Sequence, residues 1–306
     1  MGVSWTQKFP GSVPTPERNG FDIAFDGTRG EAVLFGGSTH KTAVPLNDTW
    51  VWNGINWVRR LPVSNPSARS GHAMVYDERR REVLLFGGWA GSAGLSDETW
   101  AWDGITWIQK IPVNRPSARS GHAMAYDSAR GEVILFGGND AITGWVNDTW
   151  IWNGSNWTRK IPSVRPPPRW EHAMAFYLER GQVLLYGGLG SDNFVLGDTW
   201  IWDGTNWKNW IQNSPVRNPG PRAHHAMAYD GAHAQIILFG GHSSYSGGNT
   251  GHAKFINETW AWNGTNWMEP APSSSPPPAA GHRMVYDQVR RQVMLFNDFI
   301  GTWISD

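Results

Sequence analysis

Apolar residues along this chain come in short runs of four to six, each bounded by turn-forming residues. Val83-Leu84-Leu85-Phe86 is such a run, closed by Gly87-Gly88. Runs of this length between turn signals read as buried β-strands rather than helices. Four of them make one copy of a longer unit. Strand a carries His72-Ala73-Met74, strand b ends in Gly87-Gly88, strand c holds Trp100-Ala101-Trp102, and strand d starts at Trp107. Asn53-Gly54, Asp103-Gly104, Asn153-Gly154, Asp203-Gly204 and Asn263-Gly264 stand between c and d. Such pairs accept positive φ readily and predict two-residue type I′ hairpins with Trp50 opposite Trp57.

The unit recurs. Trp50, Trp100, Trp150, Trp200 and Trp260 each end an Asp-Thr-Trp or Glu-Thr-Trp triplet, a spacing close to fifty residues. A period in this range marks a stacked or radial repeat array. It also aligns the chain with itself: positions common to every copy read as architecture, and positions where one copy departs read as candidates for function. Six copies are visible, with strand a near residues 21, 72, 122, 172, 225 and 282.

Gly87-Gly88 closing one strand, Tyr76 before it and Trp107 on the last strand resemble the kelch repeat, as found in bacterial-type kelch proteins. The resemblance covers nearly the whole chain. It implies an all-β fold: a single six-bladed β-propeller spanning 1–306, built from four-stranded antiparallel blades. The sixth copy ends with strand c at Trp303, and Val3-Ser4-Trp5 supplies a strand-d signature at the other end. The N-terminal strand, 3–8, is therefore expected to complete the last blade, 280–305, and to close the ring without open edges.

Composition narrows the function. Lys plus Arg equals Asp plus Glu at 26 each, with no long run of one sign. That argues against a nucleic-acid binder, which needs a basic face. No apolar stretch approaches the length of a membrane span. There is no cysteine, so disulfide and thiolate chemistry are excluded while the compartment stays open. No signal peptide is visible. Met1-Gly2 reads as a cloning junction; secretion or the periplasm follows if a leader was removed, the cytoplasm otherwise. The Asn-x-Ser/Thr matches fall at repeat positions and read as turn chemistry. A monomer without cofactor or metal is expected.

Most recurring residues have structural readings. Seventeen of the 21 Trp fit the repeat and fill the wedge between neighbouring blades. Asp77 and Arg80, with their counterparts Asp26/Arg29, Asp127/Arg130 and Asp287/Arg290, read as turn chemistry. His72, His122, His172, His225 and His282 are too far apart on a radial array for one metal ion. They are expected to bond locally, to the recurring Thr of strand c. Arg18, Arg69, Arg119, Arg169 and Arg222 precede strand a, and an acid recurs at the start of strand c as Asp48, Glu98, Asp148, Asp198 and Glu258. The sixth copy lacks both partners, having Ala279 and Gly301. Joint loss points to Arg–acid pairing. Animal kelch proteins that bind acidic peptides hold them with arginines at the matching position, so the resemblance also makes Arg119, Arg169 and Arg222 ligand-binding candidates.

The departures from the repeat lie in the d–a and b–c loops, which alternating strand direction puts on one face. Trp89 follows Gly87-Gly88, Trp145 sits in the third b–c loop, and Trp170 and Glu171 replace the usual Ser and Gly. Asp140 follows the third Gly-Gly pair, His224 again replaces Gly, and Tyr245 lies with His242 and His252 in the longest b–c loop. The remaining unassigned Trp is Trp210. Aromatic planes among Asp, Glu, Arg and His suit carbohydrate or peptide recognition, and they equally suit loop packing. Enzymatic alternatives narrow by resemblance. Copper-radical galactose oxidases need a Cys-linked Tyr, absent here, and the iron pattern of plant specifier proteins has no match. A sugar-acting acid–base enzyme of mutarotase, epimerase or lyase type would need only Glu171 and His224.

Overall fold

The computed structural model describes residues 3–210, 218–243 and 254–305. The chain divides into two compact units, Phe9–Ile161 and Met1–Lys8 with Pro162–Asp306. Among the described residues every regular element is a strand except two 3₁₀ turns, Gly91–Ala93 and Leu178–Arg180.

The unit Phe9–Ile161 holds three four-stranded antiparallel sheets. The first runs Asp22–Asp26, Glu31–Phe35, Thr49–Trp52, Trp57–Arg60. The second runs Ala73–Asp77, Glu82–Phe86, Thr99–Trp102, Trp107–Lys110. The third runs Ala123–Asp127, Glu132–Phe136, Thr149–Trp152, Trp157–Lys160. In the other unit, two sheets repeat this order from Ala173–Tyr177 to Trp207–Asn209 and from Ala226–Asp230 to Trp267–Met268. Its third sheet takes Arg283–Asp287, Gln292–Asn297 and Gly301–Ser305 from one end of the chain and Trp5–Lys8 from the other. Trp5 pairs with Ser305 and Lys8 with Thr302.

Strand b is apolar throughout because both faces of each sheet are covered. Val83 and Leu85 pack with Ala24, Val33 and Phe35 of the preceding sheet. Their neighbours Leu84 and Phe86 point the other way and pack with Met124, Val133 and Leu135 of the next. A period of two thus operates inside an unbroken apolar run. The Trp residues fill the same seams: Trp102 and Trp107 join the first cluster, Trp152 and Trp157 the second, and Trp262 and Trp267 the seam with Leu184 and Tyr186. Strand-d indoles also donate across the seam to the strand-c Thr of the preceding sheet, Trp107 to Thr49 at 2.9 Å and Trp157 to Thr99 at 3.0 Å. Trp267 reaches Thr199 and Trp5 reaches Thr259 in the same way.

The Thr hydroxyls are therefore taken by tryptophan, not by the strand-a histidines as the sequence suggested. His282 Nε2 instead lies 3.0 Å from the Phe239 carbonyl at the end of the preceding strand b, and His122 packs edge-on against the Phe86 ring at 5.5 Å. Both imidazoles are buried, and burial pushes each down to about 3. The second glycine of each Gly-Gly pair leaves room for this packing. At Gly88, φ is +100°, and a Cβ would stand 2.9 Å from that of His72.

The c–d loops correct a second expectation. Trp52, not Trp50, pairs with Trp57, while Trp50 faces Arg59. The loop is four residues long. Asn53 folds its own carboxamide over it, accepting the N–H groups of Ile55 and Asn56 at 2.9 Å each, and Asp103 does the same for Ile105 and Thr106 at 2.8 Å. This Asx-type turn uses the same dipeptide as a type I′ hairpin but lengthens the loop by two residues. The two indoles then meet at the mouth of the hairpin, 5.7 Å apart for Trp52 and Trp57.

After strand d the chain straps the neighbouring sheet before entering the next strand a. Ser12, Ser64 and Asn114 offer carbonyls to the N–H groups of Trp57, Trp107 and Trp157, and Ser274 offers one to Trp5. Each contact covers part of an outer strand that would otherwise present unpaired backbone. At the a–b turns Asp77 is buried and ion-pairs with Arg80 at 2.6 Å, and Arg80 also donates to the Asn153 carbonyl of the next sheet. The turn pair therefore ties neighbouring sheets together.

Candidate functional site

The arginines that precede strand a are held by short antiparallel pairings. Arg119 pairs with Asp140, the residue two beyond Gly138, and Arg169 pairs with Gly190. This turns each guanidinium inward. Arg119 grips both oxygens of Asp148 at 2.6 and 2.9 Å and donates to the Gly137 carbonyl at 3.0 Å. Arg169 holds Asp198 at 2.7 Å through both oxygens, and Arg222 holds Glu258 at 2.7 Å. Arg69 pairs with Glu98 and Arg18 with Asp48. A Trp completes each acid: Trp150 donates to Asp148 at 2.6 Å and Trp200 to Asp198 at 2.7 Å. Burial raises the Asp148 carboxyl, but the bonds and charge of Arg119 and the Trp150 bond outweigh it, leaving the group below its ordinary range. Asp198 and Asp48 follow the same balance.

This arrangement removes Arg119, Arg169 and Arg222 from the surface. Each is at most 1% exposed. A ligand reaching them would have to displace a carboxylate from a buried guanidinium, one held through both oxygens at Arg119 and Arg169. They are clamps joining strand a to strand c.

Asp140 is likewise committed. One oxygen accepts the N–H groups of Ile142 and Thr143 and the Thr143 hydroxyl, and the other accepts the Ser117 hydroxyl at 2.8 Å. Burial raises this carboxyl, and these bonds bring it below its usual value. It shapes its loop rather than offering acceptors outward.

Within Phe9–Ile161 that loop walls a cavity of 440 Å³ lined by Ser117, Asp140, Thr143, Trp145, Asn147, Asp148, Trp150 and Arg159. Trp145 is half-buried and pairs with Asn139. Arg159 is exposed. It belongs to strand d, where the copies carry Arg59, Gln109, Arg159, Asn209 and Glu269. That variation at one repeat position is the sequence signal that marks Arg159. Trp89 is 37% exposed and bridges Ser70 and Leu95.

In the other unit the structure brings Glu171 and His224 together. Their backbones bond directly, His224 N–H to the Glu171 carbonyl at 3.1 Å, and Glu171 Oε2 lies 3.6 Å from His224 Nε2. A third residue joins them. His242 Nε2 lies 3.0 Å from His224 Nδ1, because His242 bridges Ala223 across the sheet end. Trp170 stands edge-on to the His224 ring at 6.4 Å. Trp210, the other unassigned Trp, is structural: it packs edge-on to Trp262 and donates to the Thr265 carbonyl. Tyr245 and His252 lie outside the described residues. Among the described residues no group of three donors surrounds a point where a metal ion would sit.

A domain model described as the KLHDC2/KLHL20/DRC7 Kelch-repeats domain matches residues 106–297. A search of curated proteins found no match. The matched span takes in well over half of the chain and includes Gly137-Gly138, Gly187-Gly188 and Gly240-Gly241 with the clamps Arg119–Asp148, Arg169–Asp198 and Arg222–Glu258. Kelch domains are recognition modules for protein partners. The chain belongs to the kelch-repeat family.

Proposed function

We propose that residues 1–306 form one six-bladed kelch propeller, with Trp5–Lys8 completing the last blade, and that it binds a peptide segment of a protein partner at the Trp145 cavity. The supporting observation is the cavity itself. A half-buried indole and an exposed guanidinium flank one concave space whose other charged groups, Asp140 and Asp148, are already satisfied within the fold. Trp and Arg in a pocket are the side chains that concentrate binding energy at protein interfaces. Carbohydrate would use the same indole as a stacking plane, so the test must separate the two ligand classes. Purified protein is applied to a peptide array and to a glycan array, and hits are titrated against Trp145→Ala. The expected result is peptide capture, weakened about tenfold or more by the substitution. Glycan capture without peptides, or affinity untouched by Trp145→Ala, overturns the reading.

A sugar-acting acid–base enzyme is the second reading, and the proximity of Glu171 and His224 favours it. A carboxylate and an imidazole at this separation can take and give protons to one small ligand.

A further inference from the structure

The Glu171, His224 and His242 cluster is not used by peptide binding at the Trp145 cavity, and it lies in the other unit. Its residues are all departures from the repeat. Glu171 and His224 stand where the other copies have Gly20, Gly71, Gly121 and Gly281, and His242 stands where the first copy has Ser38. The backbone has not changed to suit them. Glu171 keeps φ at +52° and His224 at +55°, close to the +62° to +70° of the four glycines. A side chain in this left-handed region costs on the order of 1–2 kcal/mol relative to glycine. Two adjacent copies carry that cost at equivalent positions, and their side chains converge.

We propose that His224 and His242 bind a divalent transition-metal ion, zinc being the reference case, with Glu171 as the carboxylate behind His224. Three observations carry this. The facing nitrogens, His224 Nδ1 and His242 Nε2, are 3.0 Å apart. Two nitrogens on one such ion, each about 2.0–2.1 Å from it, stand about 3.3 Å apart at a tetrahedral angle and about 2.9 Å at a right angle, so the observed separation lies between the two. Glu171 Oε2 lies 3.6 Å from the remaining nitrogen of His224, the place where a metal-bound histidine has its orienting carboxylate. His242 is 7% exposed while the His224 side chain is 30% exposed, so the pair is sheltered on one side and open on the other. The protein supplies two nitrogens, and water or an added ligand fills the remaining positions. The competing account is a plain hydrogen bond between the two rings.

The test uses the full chain, zinc titrated by calorimetry and cobalt(II) by its visible absorption. His224→Gly and Glu171→Gly restore the residue found in other copies, and His242→Ser restores that of the first, so each variant is built to keep the fold; circular dichroism melting checks that it does. Wild type is expected to bind one equivalent. His224→Gly and His242→Ser are expected to lose it at least a hundredfold, and Glu171→Gly to weaken it about tenfold. No uptake by wild type, or uptake unchanged in His224→Gly and His242→Ser, overturns the site and leaves the hydrogen bond as the whole account. A failure here leaves peptide binding by Trp145 untouched, since the two assays read different units.

Discussion

Gly71 and Gly121 hold the same place in their copies as Glu171 and His224 do in the next two. The N–H of Gly121 bonds the Gly71 carbonyl at 2.8 Å, and the N–H of His224 bonds the Glu171 carbonyl at 3.1 Å. The backbone path is conserved within the chain while the side chains differ completely. Glycine satisfies that path without strain. The repeat therefore sets the conformation, and whatever Glu171 and His224 do is laid over it. The Arg–acid clamps make the opposite case. They recur in five copies with nearly the same bonds, and their burial shows that recurrence can mean architecture even for charged residues beside a loop.

The sharpest way to break that contrast is to treat a clamp as if it were a site. Arg119→Ala leaves the Asp148 carboxylate, part of the cavity lining, with Trp150 but without Arg119. Removing one partner of a buried ion pair costs about 3–5 kcal/mol. Denaturant unfolding should show a loss of that size, whereas Arg159→Ala, on an exposed side chain, should leave the midpoint within error. Equal effects would erase the distinction between clamp and surface cation.

That distinction was partly legible in the sequence. The joint loss at Ala279 and Gly301 pointed to pairing before any geometry was known. The strands and the Trp seams were equally readable, because a fifty-residue repeat displays each position several times. What could not be read were contacts between copies that leave no side-chain signature. His282 bonds a backbone carbonyl, and His242 reaches His224 only through the bridge of Ala223 with His242. The c–d loops failed for a related reason: Asn-Gly and Asp-Gly signal a turn but not its length, and here the side chain caps a longer one. Glu171 and His224 stand out in the sequence because they replace glycine, a change the repeat makes conspicuous.

A smaller effect follows from the buried histidines. His122 and His282 have folded-state values lowered to about 3, against an ordinary 6.5. A lowered value means the unfolded chain binds the extra proton more readily. The stability each neutral ring contributes is therefore complete above about pH 6.5 and declines as pH falls towards about 3. The clamp carboxylates Asp48, Asp148 and Asp198 are also lowered, but they act only once pH drops below their ordinary value near 3.8. The clamp glutamates Glu98 and Glu258 are lowered from an ordinary 4.5, so between about pH 6 and 4.5 the histidines act first and these glutamates join towards the lower end. The first copy has buried Phe21 at this position, so His122→Phe removes one titrating group with a side chain the fold already accommodates. Melting curves across that interval should be flatter for the variant, with roughly 1–3 kcal/mol less stability lost by pH 4.5. Parallel curves would place the acid sensitivity elsewhere.

The smallest effect tests the opening comparison most directly. If the repeat alone sets the backbone at residue 171, then Glu171→Gly should not destabilise the protein, although it deletes a charged side chain lying within 3.6 Å of His224. Relief of the left-handed backbone is worth about 1 kcal/mol, and glycine returns a similar amount of freedom to the unfolded chain. The net change should lie between zero and about 1 kcal/mol in favour of the variant. The same change at a regular position, Gly71→Glu, introduces the strain with no partner to meet it, since the following copy has Gly121 where the facing residue would be. It should destabilise by about 1–2 kcal/mol. The pair of measurements separates backbone from side chain: Glu171→Gly neutral and Gly71→Glu costly means the copies share one path and two of them carry added groups. If Glu171→Gly is the costly change instead, the carboxylate stabilises the fold through His224, and the departure from glycine is structural.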